Sequence, residues 1–395
     1  MPLRRIIVPI RELSESGKLS GLLLLLATVV SLLVSNSAWS QAYLHFWETK
    51  LGAGPLVKTL AHWVDDGLMV VFFFSVGLEI KREVLYGELT DFRQALLPIL
   101  AAVGGVAVPA GIFLLFNAGT PASHGWAVPT ATDIAFSLGI LSLLGDKVPF
   151  GLRVFLTALA IIDDLIAVLI IALFYTAELN LTYLLAAGGI FAALIVLNRL
   201  KVSWLPLYFL LGLGLWFFVL KSGVHATIAG VLLALTIPTE AIEKLEAALH
   251  KPISYLILPL FALANTAIVV SAESVGELLS PLGLGIGLGL LLGKPLGIFG
   301  ASWLAVKAGI SSLPERVTWF KMLGLGLTAG IGFTMAIFIA NLSFSDPGRI
   351  DLAKIAVIVG SLLAALAGLL VLHLADKADE SEAPADLALK PEVKA

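Results

Sequence analysis

The stretch LTALAIIDDLIAVLIIALFYT, residues 156–176, decides the fold, because its only charged residues are two adjacent aspartates. An α-helix needs about 20 apolar residues to cross a bilayer, whereas a spanning strand needs about nine to eleven alternating ones. A continuous apolar run of this length therefore predicts a transmembrane helix. Its two aspartates, Asp163 and Asp164, would then lie at membrane depth.

The composition of the whole chain agrees with that stretch. Of 395 residues, 59% are hydrophobic and 13% are charged, whereas charged residues make up about a quarter of an ordinary soluble domain. There is no cysteine, which excludes disulfides, thiolate metal sites and a cysteine nucleophile. The net charge of −3 predicts no nucleic-acid partner. We therefore expect an integral membrane protein with membrane lipid around it, without a cofactor.

Charges divide the remaining apolar sequence into twelve predicted transmembrane helices, and the fold class is accordingly all-α. The predicted spans lie near 19–36, 58–80, 94–117, 125–144, 150–175, 181–199, 204–220, 223–238, 252–271, 283–306, 319–342 and 355–375. The chain thus divides into a terminal segment (1–18), a twelve-helix domain (19–375) and a polar tail (376–395) with too few apolar residues to fold.

The distribution of basic residues predicts the orientation. With twelve spans both termini lie on one side, and 19 of the 25 lysines and arginines fall on that side, against five on the other. By the positive-inside rule both termini, including the tail that is expected to be disordered, are cytoplasmic.

Ionisable residues inside predicted spans are functional candidates, because each costs at least a few kcal/mol at membrane depth. Asp163 and Asp164 point about 100° apart on a helix and cannot both ionise cheaply in a low dielectric. Such a pair is suited to exchanging protons for cations. A salt-bridged packing pair between helices is the alternative reading.

Two further charges lie in perturbed helices. Asp133 follows Pro129 in AVPTATDIAFSLGIL (127–141), so the fourth span is expected to break just before the aspartate. Asp133 is then a partner of the helix dipole, a cation ligand, or both. Lys294 precedes Pro295 in GLLLGKPLGIF (289–299), and a buried lysine is expected to pair with one of the aspartates.

The eleventh span, LGLGLTAGIGFTMAIFIANL (323–342), is rich in glycine. It and the fourth span run in opposite directions, and each is the middle helix of a set of three, helices 3–5 and helices 10–12. Broken helices at corresponding positions of two inverted repeats are typical of a transporter's substrate site. The sequence therefore predicts two inverted repeats with helices 4 and 11 broken, and the family resemblance described next implies that these two helices also cross.

Seven motifs in order resemble the NhaA family of sodium/proton antiporters, over roughly residues 10–375. They are DDGLMVVFFFSVGLEIKRE (65–83), ATDIAF (131–136), LAIIDDL (159–165), HATIAG (225–230), YLILPLFALAN (255–265), GKPLG (293–297) and GLTAGIGFTMAIFIANL (326–342). The resemblance implies a bacterial inner-membrane protein, not an enzyme, that exchanges Na⁺ or Li⁺ for protons. It implies electrogenic exchange of about two H⁺ per Na⁺, activation at alkaline pH and a possible homodimer.

The resemblance also implies roles for individual residues. Asp163 and Asp164 would bind the ion and protons, Asp164 being the principal Na⁺ ligand, with Thr132 and Asp133 in support. Lys294 would pair with Asp163 and release it as Na⁺ binds. The residues that correspond to the family's pH response are Glu79, Arg82, Glu83, the loop residues Glu240, Glu243, Lys244 and His250, and His225 in the eighth span.

The family's dimer contact is a β-hairpin between the first two helices. In this chain the corresponding segment, ETKLGAGPLVKTL (48–60), lacks clear alternation of polar and apolar residues, which argues against dimerisation by that route. The doublet Asp65–Asp66 would make the outer funnel more negative.

Three other functions compete with antiport. A sodium-coupled symporter would need an anion site that Lys294 alone hardly supplies. An intramembrane aspartyl protease would need a Gly-x-Gly-Asp signature, which is absent. A channel conducts rapidly, whereas paired carboxylates that trap a cation favour a carrier.

Overall fold

The computed structural model describes residues 2–87, 89–176 and 179–382, which are predominantly helical. The α-helices are α1 (Pro2–Ser35), α2 (Ser40–Glu48), α3 (Leu60–Trp63), α4 (Met69–Tyr86), α5 (Phe92–Asn117), α6 (Ile134–Leu143), α7 (Phe150–Phe174), α8 (Leu181–Arg199), α9 (Leu205–Ser222), α10 (Ile228–Thr236), α11 (Ile242–Pro252), α12 (Leu258–Asn265), α13 (Ala272–Glu277), α14 (Pro281–Leu288), α15 (Lys294–Lys307), α16 (Trp319–Ala329), α17 (Phe333–Ser343) and α18 (Pro347–Glu382). Two short strands, β1 (Lys50–Leu51) and β2 (Lys58–Thr59), pair antiparallel.

The protein is an all-α, multi-pass membrane protein. Among the described residues, eight helices are long and apolar enough to cross a bilayer, or ten when each of two bent pairs is taken as one span. Leucines such as Leu33, Leu173 and Leu210 are more than half exposed on these helices, as expected of a surface that faces lipid.

The count of twelve spans stays a prediction because of two segments. One of them consists of α3, the π-helical turn Val64–Leu68 and α4. It is a continuous helical segment but carries several charged residues. The helix α10 has nine residues, which is about half the length that a bilayer requires. The count therefore depends on whether these segments also cross.

Both predicted helix breaks are present. The 3₁₀-helical segment Pro121–Thr130 meets α6 at 43°, and α16 meets α17 at 47°. The first break follows Pro129, which cannot donate a backbone hydrogen bond. The second break falls between Gly330 and Gly332, where a Cβ atom on Gly330 would lie only 2.5 Å from the carbonyl oxygen of Leu290.

Two further helices are widened by proline. The π-helical turns Ile253–Ile257 and Gly289–Gly293 each contain the residue four positions before a proline, Pro259 or Pro295. A proline has no N–H for the carbonyl four residues earlier and its ring pushes that carbonyl away, which accounts for the wider turn. The second turn leads directly into Lys294 at the start of α15.

The helix α15 crosses α5 at very close range. A Cβ atom on Gly104 would lie 2.3 Å from the carbonyl oxygen of Gly297, and one on Gly293 would lie 2.7 Å from Cα of Pro109. Small residues at such a crossing let two backbones approach as larger ones would not. This contact fixes the position of Lys294 between α5 and the breaks.

Three sequence-based boundaries differ from the structure. The charged loop around Glu240 and Lys244 forms mostly the helix α11, since its apolar residues recur at helical spacing. The segment between the first two spans does form a minimal hairpin, β1–β2, through backbone pairing that needs no side-chain alternation. The last helix runs to Glu382, beyond the predicted start of the tail at 376, and residues 383–395 lie outside the described part.

Candidate ion-binding site

A buried ion pair lies at the centre of the protein. Lys294 Nζ is 2.9 Å from both carboxylate oxygens of Asp163, and both side chains are almost completely buried. The predicted pairing of Lys294 with an aspartate is therefore present. Because removing either partner would leave a lone charge in an apolar interior, the two groups depend on each other.

Asp164, the next residue on α7, is buried but has a different environment. Within residues 2–87, 89–176 and 179–382 its carboxylate has no hydrogen-bond or ion-pair partner. The charged groups that act on it are the carboxylates of Asp163, Glu79 and Asp133 and the ammonium of Lys294. A buried carboxyl group without donors is costly, and a proton or a bound cation would relieve that cost.

Asp133 joins the two helix breaks. Its Oδ1 accepts a hydrogen bond from the backbone N–H of Phe136 (2.9 Å) and so caps α6. Its Oδ2 accepts from the backbone N–H and hydroxyl of Thr334, at 3.2 and 2.5 Å, in the first turn of α17. One carboxylate thus serves the positive ends of both half-helices, which supports the dipole role that the sequence left open.

The backbone carbonyls at the C-terminal end of α16 accept hydrogen bonds from residues at the first helix break. Thr132 donates its hydroxyl to the carbonyl of Ala329 (2.8 Å), and Ser137 donates to that of Thr328 (2.9 Å). The backbone N–H of Asp133 donates to the carbonyl of Ile331 (2.7 Å). The breaks therefore form one hydrogen-bonded junction. Sequence reasoning named Thr132 but missed Ser137.

A cluster of charged side chains lies near the C-terminal end of α4. Arg82 pairs with Glu83 (2.7 Å), with Glu246 on α11 (2.9 Å) and, more loosely, with Glu79 (3.9 Å). The structure thus brings together three residues predicted from the resemblance and adds Glu246, which was missed. The spacing of Glu243 and Glu246, three apart on one helix, was the available signal.

The other residues predicted for a pH response do not join Arg82 directly. Glu240 lies in the short 3₁₀ turn Thr239–Ala241, and Glu243 and Lys244 are exposed on α11. His250 lies near the end of α11. His225 lies beside Asp66. Asp66 precedes Arg82 by 16 residues, which corresponds to about 24 Å along the helical segment.

The doublet Asp65–Asp66 is held by donors on other segments. Asp65 accepts hydrogen bonds from the amides of Asn265 (2.8 Å) and Asn341 (3.3 Å). Asp66 pairs with Lys58, and His225 Nε2 lies 3.5 Å from it. Sequence analysis predicted only extra negative charge at this position and missed the neutralising partners.

The described residues contain no group of three or more histidine, aspartate and glutamate side chains placed to hold a metal ion. What they contain is a buried lysine–carboxylate pair, an unmatched carboxyl group and a junction of two broken helices in a multi-pass protein. Such a combination is typical of a membrane transporter.

Comparison with known proteins identifies the transporter family. The family model "Na+/H+ antiporter 1" matches residues 11–372. The chain is 53% identical over 374 residues to the Na(+)/H(+) antiporter NhaA 2 of Flavobacterium johnsoniae, covering 92% of each protein. It is 50% identical to the NhaA antiporter of Bordetella parapertussis (92% of this chain, 96% of the relative) and 45% identical to that of Oleidesulfovibrio alaskensis (96% and 97%). The chain belongs to the NhaA family of Na⁺/H⁺ antiporters.

Proposed function

We propose that this protein expels Na⁺, or Li⁺, in exchange for protons at Asp163 and Asp164. The observation that carries the proposal is the buried carboxyl group of Asp164, which has no partner among the described residues and lies next to the Asp163–Lys294 pair. A group in that position can be completed by a proton or by a monovalent cation, and the two compete for it. Competition for one site produces exchange without a separate gate.

The exchange follows from the charges. When protons leave, Na⁺ binds to Asp164, and Asp163 joins it as a second ligand once Lys294 releases that carboxylate. Thr132 and Asp133 support the site from the junction of the two breaks. When the site opens to the other side, Na⁺ leaves, protons return, and Lys294 pairs with Asp163 again.

The site can hold two exchangeable protons, one on the Asp164 carboxyl group and one on the Lys294 ammonium group that pairs with the Asp163 carboxylate, and both leave as one Na⁺ binds. Each cycle would then carry two positive charges inward and one outward, so transport is electrogenic and is driven by the membrane potential as well as by the pH gradient. Because protons occupy the site at low pH, activity rises toward alkaline pH. The cluster of Glu79, Arg82, Glu83 and Glu246 is the proposed seat of further pH control, because it joins α4, whose Glu79 acts on Asp164, to α11.

We place the protein in a bacterial inner membrane with twelve spans, two inverted repeats and both termini in the cytoplasm. The excess of basic residues on the terminal side supports that orientation. The β1–β2 hairpin, on which Leu51 is exposed, is the segment through which a homodimer would form.

Inside-out membrane vesicles with an established pH gradient test the proposal. Addition of Na⁺ or Li⁺ should collapse the gradient, increasingly so at alkaline pH, whereas Asp164→Asn should not respond. Asp346→Asn, the same change at an aspartate whose side chain is 59% exposed, is the matched control and should respond normally. Normal exchange by Asp164→Asn would exclude the proposed site, and no response of the unmodified protein to any cation would exclude antiport.

A further inference from the structure

A deep groove opens at the end of the molecule that carries the C-terminal helix end. It has a volume of about 1300 Å³ and lies between the start of α5, the first turns of α7 and the connection from α15 to α16. A second pocket of about 510 Å³ adjoins it and shares Pro149 and Arg316. The ion pair between Lys147 and Asp376 on α18 marks this end of the molecule.

The lining of the groove has two parts. Its rim is polar and includes Gln94, Ser311 and Arg316. Its wall is apolar and follows α7 from Val154 to Ala158, about 6 Å of helix directed into the membrane-spanning part. A polar rim above an apolar wall matches a molecule with a polar head and a hydrocarbon tail.

The rim is basic. The groove and the adjoining pocket are lined by four cations and two acids, namely Lys147, Arg153, Arg316, Lys321, Glu315 and Asp376. Basic pockets between helices on the side that carries most of the lysines and arginines are typical binding sites for anionic lipid head groups. The excess of positive charge therefore favours an anionic occupant over a zwitterionic one.

Two details indicate that an acceptor is expected at this rim. Nε of Arg153 is buried and has no hydrogen-bond partner among the described residues, although another nitrogen of the same guanidinium donates to the carbonyl of Gly145. Arg316 has a φ of 59°, a left-handed conformation that is strained for a residue other than glycine. A buried guanidinium N–H that has no acceptor among the described residues and a strained arginine at the same groove both point to a binding site.

We propose that this groove binds an anionic phospholipid, with its phosphate at Arg153 and Arg316 and an acyl chain along the apolar wall of α7. The site is separate from the aspartates that carry the proposed transport. It adjoins α16, because Thr318, which caps that helix, and Lys321 in its first turn line the second pocket. Lipid bound there would contact one half of a broken helix.

Native mass spectrometry of the purified full-length protein tests the proposal without any transport assay. Phosphatidylglycerol should be retained in preference to phosphatidylethanolamine with the same acyl chains. The double variant Arg153→Gln/Arg316→Gln should bind phosphatidylglycerol roughly tenfold more weakly or worse. Lys244→Gln/Lys251→Gln removes the same charge from exposed positions on α11 and should bind as the unmodified protein does.

A second variant separates the groove from general charge and from loss of folding. Val154→Trp would fill the apolar wall without changing any charge, and it should also reduce retention of phosphatidylglycerol. Equal weakening by both charge variants, or full binding by Val154→Trp, would overturn the proposal. If inorganic phosphate alone displaced the lipid completely at comparable concentration, the site would be one for a soluble anion, and the lipid assignment would be wrong.

Discussion

The chain contains two aspartate doublets, Asp65–Asp66 and Asp163–Asp164, and their surroundings differ in one respect. In the first doublet both carboxylates have partners, two asparagine amides for one and Lys58 and His225 for the other. In the second doublet Lys294 neutralises Asp163, while Asp164 has no partner among the described residues. The same two residues thus both have partners in one place, whereas in the other one of them has none among the described residues.

The difference shows that residue type alone does not make an ion site. A cation stabilises a carboxylate only a little when that carboxylate already accepts hydrogen bonds. When the carboxylate is buried without donors, a bound cation offsets the full free-energy cost of its desolvation.

The largest difference is expected in transport. Asp164→Asn should reduce Na⁺-dependent exchange roughly a hundredfold or more, because a charge-assisted contact with the ion is lost. Asp65→Asn should stay within about threefold of the unmodified protein, since an amide can still bond to Asn265 and Asn341. Both rates are measured in the same inside-out vesicles at equal protein content. A larger loss in Asp65→Asn would reverse the comparison.

Loss of Lys294 should lower the free energy of unfolding much more than loss of Lys58. Lys294→Met leaves Asp163 buried without its counter-ion and should destabilise the folded protein by about 3–5 kcal/mol. Lys58→Met breaks a pair that is partly exposed to solvent and should cost about 1 kcal/mol or less. Thermal unfolding in detergent measures both. The double variant Asp163→Asn/Lys294→Met should recover most of the loss, and failure to recover would mean that packing, not charge, is responsible.

Na⁺ and protons should compete for the same carboxylates at Asp163–Asp164 but not at Asp65–Asp66. Below the pH of full activity, the Na⁺ concentration for half-maximal exchange should rise about tenfold for each unit of falling pH per competing proton. The sign follows because protonation of Asp164 removes the carboxylate that binds Na⁺. Asp65→Asn should leave this slope unchanged. A half-saturating Na⁺ concentration that is independent of pH would contradict a shared site.

The smallest effect on transport is expected from a substitution beside Asp65–Asp66. Asn265→Leu removes donors from Asp65 and should cost about 1–2 kcal/mol of stability, with little change in transport. The measurement is again thermal unfolding, with exchange in vesicles as the second readout. A strong loss of transport without a loss of stability would show that this doublet takes part in the ion pathway.

The sequence predicted those features that depend on local chemistry. Charges in apolar runs identified Asp163, Asp164 and Lys294, and Pro129 located the first break. The number of spans was harder to predict, because α10 is short and the helical segment around α4 carries several charged residues. The hairpin escaped prediction because backbone pairing over two residues leaves no side-chain pattern.

The partners that complete the site could not be predicted from the sequence. Thr334 lies 201 positions from Asp133, and Glu246 lies 164 positions from Arg82. Nothing local marks either residue, since threonines are common in apolar spans and glutamates are common on exposed helices. Only the three-dimensional arrangement selects them.

The junction of the two breaks constrains how the protein can move. Separating the half-helices would leave Oδ2 of Asp133 and the carbonyls of Ala329 and Ile331 without partners in an apolar interior. We therefore expect the junction to move as one unit against its neighbours. In hydrogen–deuterium exchange, the amides of Asp133 and Thr334 should remain equally protected with and without Na⁺, and opening should appear instead where the junction meets its surroundings.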